Sequence, residues 1–168
     1  DLMRIDAVRQ AELRALPAWK SFTARNGTWY VEFNEANAKP HRAYGQPIST
    51  SGSDDVQRAS AFIAAELSGF GVPQQELSVA ATYRSGKYSY VNFVQQHEGA
   101  DVLFSRLLVK LDLSGRVVSF GMDVHDAIDV PLIPTIGPAD AVASASTGLS
   151  GVTTTLVSDD LRILPVPV

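Results

Sequence analysis

Residues Tyr88 to Val124 read YSYVNFVQQHEGADVLFSRLLVKLDLSGRVVSFGMDV. From Tyr90 to His97 apolar and polar residues are mixed, and Glu98-Gly99-Ala100-Asp101 supplies a turn. Strict alternation then sets in, Leu107, Val109, Leu111 and Leu113 against Leu108, Lys110 and Asp112, the pattern of a half-buried strand. Asp112-Leu113-Ser114-Gly115 closes a second hairpin, Gly115 taking a positive φ without a Cβ clash. Val118, Phe120, Met122 and Val124 alternate onward as a further strand. Antiparallel strands in succession make a meander with one apolar face, and that face needs a cover.

The cover lies upstream. Ser49 to Ser53 is a polar linker in which Ser53 is placed to cap a helix, and Asp54 and Asp55 favour the positive end of its dipole. Val56, Ala59, Phe62, Ile63, Leu67 and Phe70 recur at helical spacing, and Gly69 or Gly71 stands where a left-handed cap would end the helix. Val56, Phe62, Ile63 and Leu67 packed on Val109, Leu111 and Phe120 are the expected core. The fold class is α+β: an antiparallel meander sheet covered on one face by a helix, with a partial second α+β unit.

Working outward, Leu2, Ile5, Val8, Ala11, Ala15 and Leu16 suggest an amphipathic helix stopped by Pro17. After the Asn26-Gly27 break, Thr28 to Phe33 is a strand with Trp29, Val31 and Phe33 on one face, and Pro40 to Gly45 a return strand whose proline suits an edge. Leu77 to Thr82 adds a strand, and Arg84-Ser85-Gly86-Lys87 a turn. Asp126 to Pro134 has the composition of a linker. Gly137 and Pro138 then open a helix that runs to Gly148, before strands over Val152–Val157 and Leu161–Leu164. The expected division is a helical arm over 1–20, a domain over 21–128, and a linker with an incomplete unit over 129–168.

Composition narrows the function classes. The 168 residues carry a formal charge of -4, and their 14 basic residues form no cluster, which argues against a general grip on nucleic acid. Cysteine is absent, so no disulfide, thiolate metal site or cysteine nucleophile can form. No apolar window reaches the roughly 18–20 residues of a membrane span, and no signal-peptide pattern opens the chain. The Asp1 start and the strand-like Ile163-Leu164-Pro165-Val166-Pro167-Val168 end suggest a piece of a longer protein.

The order of pieces resembles the fungalysin/thermolysin propeptide (FTP) module followed by the start of a PepSY domain, found ahead of secreted thermolysin-like and fungalysin-like zinc metallopeptidases. It is carried by Gly45-Gln46-Pro47-Ile48, Leu67-Ser68-Gly69-Phe70-Gly71-Val72, Tyr90 to Gln96, Gly99 to Val102, Leu107 to Asp112, Ser114 to Val118 and Pro134 to Ala141. Phe93, Gln96, Gly99, Asp112 and Gly115 are its signature positions. The resemblance implies a non-catalytic, cofactor-free domain of a secreted, periplasmic or cell-surface bacterial protein. Its partner would be the peptidase domain of the same parent chain, whose folding it assists and whose activity it restrains; a monomer is expected. The alternative is a stand-alone protein-binding or adhesion module on the same fold.

Catalytic spellings are weak. A zinc-protease helix needs His-Glu-x-x-His so that both imidazoles share a face. Here His97-Glu98-Gly99-Ala100-Asp101 replaces the second His by Asp101 and sits in a strand–turn context. His41, His97 and His125 are read as exposed loop residues, and replacing His97 and Glu98 by Ala is expected to leave folding nearly intact. Asp123, Asp126 and Asp129 with His125 offer oxygen ligands for Ca²⁺ but lack the glycine and closing Glu of a calcium loop, so a solvated linker is expected. Ser114 has no base beside it and reads as a turn residue. Trp29, Tyr30, Phe33, Tyr88 and Tyr90 suit a carbohydrate- or peptide-binding strip less well than strand packing.

Overall fold

The computed structural model describes residues 5–148 and 160–166. The elements are α1 (Ala7–Arg14), α2 (Pro17–Asn26), β1 (Trp29–Asn34), β2 (Lys39–Ile48), α3 (Asp55–Glu66), β3 (Leu77–Ser85), β4 (Tyr88–His97), β5 (Ala100–Val102), β6 (Arg106–Asp112), β7 (Val117–Asp123), α4 (Pro138–Ser146) and β8 (Arg162–Ile163). The fold is α+β, and the described residues form an open eight-stranded sheet ordered β1-β2-β7-β6-β4-β5-β8, with β3 paired to β4. Every pairing is antiparallel except β5 with β8.

Strand alternation sends Val91, Phe93, Leu107, Val109, Leu111, Phe120 and Met122 to one face, where all are buried. α3 lies across β4 and β6 on that face and contributes Ala59, Phe62 and Ile63. Phe62, Ile63, Leu67, Val109, Leu111 and Phe120 belong to the buried core, with Val56 partly buried against it. Phe120 is the hub: its ring centroid lies 5.3 Å from Phe62, 5.4 Å from Phe22 and 5.6 Å from Trp29.

Several local expectations need correction. The alternation through β7 breaks because Lys110 faces Ser119 while Leu111 faces Val117, leaving Val118 as a bulge. Val117 is therefore fully buried and Val118 only half-buried. Leu113 lies beyond the end of β6 and is exposed. The turn expected over Glu98–Asp101 tightens to Glu98 and Gly99, both at positive φ, and Ala100 already belongs to β5. The cap of α3 is Asp54 rather than Ser53: its carboxylate accepts the N–H of Gln57 at 2.8 Å, while Gln57 reaches back to the Ser53 N–H at 3.0 Å.

β2 is not an edge strand, since it lies between β1 and β7. Its prolines are tolerated at irregularities: Pro40 flanks the register shift opposite Glu32 and Phe33, and Pro47 falls in the shift between Tyr44 and Ile48. β1 forms the edge instead.

At the N-terminus the expected apolar stripe faces outward, Val8 being 71% exposed, and the buried residues of α1 are Gln10 and Leu13. Pro17 ends α1 but starts α2, occupying the first helical turn where its missing N–H is harmless. α2 buries Trp19 and Phe22 in the common core, so the expected boundary at residue 20 falls inside a helix.

At the other end, α4 is capped by Gly137, starts with Pro138 and buries no residue. β8 adds to the main sheet beside β5, so that sheet crosses the expected boundary at residue 128. The strand expected over Val152–Val157 lies outside the described residues.

Candidate partner-binding surface

Among the described residues, helices α1 to α3 pack on the apolar side of the sheet, and the opposite face carries the exposed Tyr30, Tyr44 and Tyr83. Register builds an aromatic strip there. Tyr30 pairs with Tyr44 across β1 and β2 and their rings stack at 5.5 Å. Tyr83 pairs with Tyr90 across β3 and β4 and their rings stack at 4.8 Å, within 6° of parallel. The ammonium of Lys110, opposite Tyr90 on β6, sits 3.8 Å from the Tyr88 ring centroid, a cation–π contact. Tyr30 remains 60% exposed.

The strip considered from sequence therefore divides by the two-residue period of a strand. Trp29 and Phe33 point into the core, whereas Tyr30, Tyr88 and Tyr90 face outward. Tyr44 and Tyr83 were missed. Only cross-strand register, which depends on turn length, puts them beside Tyr30 and Tyr90.

The two long edges of the sheet differ. At β1, Gln10 from α1 accepts the Phe33 N–H at 2.9 Å and donates to the Phe33 carbonyl at 2.8 Å, and Arg14 donates to the Val31 carbonyl at 3.3 Å. The helix thus seals that edge with side chains that stand in for a neighbouring strand. β3, at the other side, is exposed from Val79 to Ser85.

His97 and its neighbours are occupied structurally. His97 Nδ1 lies 2.6 Å from Glu76 Oε1, and Glu76 Oε2 accepts from Gln95 Nε2 at 2.7 Å. Gln95 is fully buried and clamps the chain as it leaves β7, donating to the His125 carbonyl at 2.7 Å and accepting the His125 N–H at 2.9 Å. Burial pushes the Glu76 carboxyl up, but hydrogen bonds from Gln95 and His97 and the His97 charge outweigh it and hold it below its ordinary value.

His97 is thus part of a polar clasp rather than an exposed loop histidine. Glu98 lies in the turn, and Asp101 faces away on β5, accepting from Gln96 at 2.8 Å. The glutamine that organises this region is Gln95, not Gln96, which is exposed. Phe93 is core, Gly99 makes the positive-φ turn, and Asp112 ties the β6–β7 turn. Its carboxylate accepts the Ser114 N–H at 2.8 Å and the Arg116 N–H at 3.0 Å, while Arg116 Nε donates at 2.8 Å. Burial opposes ionisation of Asp112, yet these bonds and the Arg116 charge hold its carboxyl below the ordinary range. Gly115, at φ 73°, sits under Arg58, and a Cβ there would lie 2.7 Å from its guanidinium.

The acidic residues at the exit of β7 do not converge. Asp123 meets His41 at 2.9 Å and Asn34 at 3.2 Å, and Asp126 meets the buried Lys39 at 3.1 Å. Lys39 also donates to the Phe70 carbonyl. His41 is accordingly a sheet residue with an acidic partner. Asp129 is exposed. Among the described residues no cluster of three or more His, Asp or Glu side chains could hold a metal ion, and no helix is long and apolar enough to cross a membrane.

Neither the protein-family models nor the curated proteins contain a match to this chain. Among solved structures, the Bacillus megaterium YpeB C-terminal domain is similar at a TM-score of 0.43 and 14% identity, over 83% of this chain and 74% of that one.

Proposed function

We propose that this chain is a non-catalytic, propeptide-type domain that assists the folding, and restrains the activity, of a secreted zinc metallopeptidase domain in the same parent protein. The observation that supports it is the tyrosine-bearing face of the sheet, with stacked Tyr30/Tyr44 and Tyr83/Tyr90 presented on a helix-backed support. Exposed aromatic pairs on such a support suit contact with a protein surface. The His97–Glu76 and His41–Asp123 pairs serve the fold, through Gln95 and Asn34 respectively, rather than forming a nucleophile–base arrangement. In this role tethering supplies a high effective concentration, so weak contacts suffice. The same strip also suits a stand-alone binding or adhesion module.

The coding sequence downstream of Val168 separates the two readings. A His-Glu-x-x-His motif followed by a further Glu is expected; repeats or a surface anchor in its place would favour the adhesion module. Hydrolytic activity of the purified chain on addition of zinc would contradict both.

A further inference from the structure

We infer that the outer edge of β3 accepts an extended, acidic segment of the protein partner as an additional strand of the sheet. This rests on the protein-binding reading and assigns its contact. Strand addition uses backbone groups along an open edge for affinity and flanking side chains for selection.

The edges differ in a way that singles out β3. α1 occupies the β1 edge through Gln10 and Arg14. β3 runs from Leu77 to Ser85, pairs only with β4 among the described residues, and contains neither lysine nor proline, residues that commonly blunt an open edge. A register shift between Val79 and Ala81 bends its first half, so the straight portion available is Ala81–Ser85. Tyr83, stacked on Tyr90, offers an aromatic wall on the tyrosine-bearing face beside that portion.

Charge selects the occupant. The carboxylates at this end are already paired, Asp55 with Arg84 and Arg58, and Asp112 with Arg116. Lys87, in the β3–β4 turn, and Lys110, over Tyr88, form no ion pair among the described residues. In a chain of net charge -4, Lys87 at the turn end of the open edge, with Lys110 two strands further into the sheet, favours an incoming segment whose acidic end lies next to the turn.

The test is an amide-shift titration by NMR of the chain with a short peptide alternating threonine and valine and ending in a pair of glutamates. Its lysine-ended counterpart and a proline-interrupted version serve as comparisons. Saturable shifts centred on Ala81–Ser85 are expected for the acidic peptide, with about two- to five-fold tighter binding than the basic one at low salt. The proline version should not bind, and Lys87→Glu should reverse the acidic–basic preference. Absence of saturable binding, shifts that spare Ala81–Ser85, or equal affinity for both charges would overturn the assignment. Assisted refolding of a peptidase is read separately, so its persistence without edge binding would remove this contact and leave the proposed function standing.

Discussion

The side chain of Gln10 hydrogen-bonds both the N–H and the C=O of Phe33, closing the edge of β1 from a helix twenty-three positions upstream. Gln10 is only 3% exposed, so truncation leaves two backbone groups without partners where water has little access. Gln10→Ala is expected to destabilise the chain by about 1–3 kcal/mol. Urea unfolding measures the loss, and amide exchange should show Phe33 losing protection before the residues of β6. Unchanged stability and protection would mean that the edge does not depend on this clamp.

Glu76 gives the chain an acid-side weakness with a defined sign. Its carboxyl is held below the ordinary range in the folded state by Gln95 and His97, so its stabilisation is present above the unfolded value and is lost as pH falls through the folded one. Unfolding free energy should therefore decline on acidification through and below the ordinary carboxylate range. Glu76→Gln should flatten that part of the profile, as read by denaturant titrations at stepped pH.

His97→Ala is expected to cost about 0.5–1.5 kcal/mol, because it removes the hydrogen bond to Glu76. Glu98→Ala should be close to neutral, since Glu98 is exposed in its turn. Calorimetric melting of the two single variants separates them. This replaces the expectation from sequence that both substitutions would be silent.

Phe120→Ala and Leu111→Ala should each cost about 2–5 kcal/mol in urea unfolding, the range for emptying a packed core position. Phe120 should lie toward the upper end because its ring touches Phe22, Trp29 and Phe62 together. Val118→Ala should cost clearly less than Val117→Ala, since the bulge leaves Val118 only half-buried.

What could be read from the sequence followed the periodic signals. Phe62 and Ile63 on α3, Leu67 at its C-cap, and Leu107, Val109 and Leu111 on β6 declare a buried face because an apolar repeat maps directly onto one side of a helix or strand. α2 was missed because Pro17 can both end and begin a helix, and Trp19 and Phe22 are too few to show a period. The one-residue bulge at Val118 cannot be seen in an alternating string. Gln10 and Gln95 were invisible for a different reason: each is buried by partners distant in the chain, Phe33 for one and His125 for the other, and no local pattern marks a polar residue satisfied at long range. The tyrosine strip was half legible, since alternation exposes Tyr30 and Tyr90 while only register supplies Tyr44 and Tyr83.

The most direct test of the propeptide role joins the chain ahead of a thermolysin-type peptidase domain, denatures the fusion, and measures recovered proteolytic activity before and after the chain is cut away, beside the peptidase refolded alone. Low activity is expected while the chain is attached, and a higher yield of active enzyme after its removal than the lone peptidase reaches. Equal yields with full activity in the uncut fusion would contradict it.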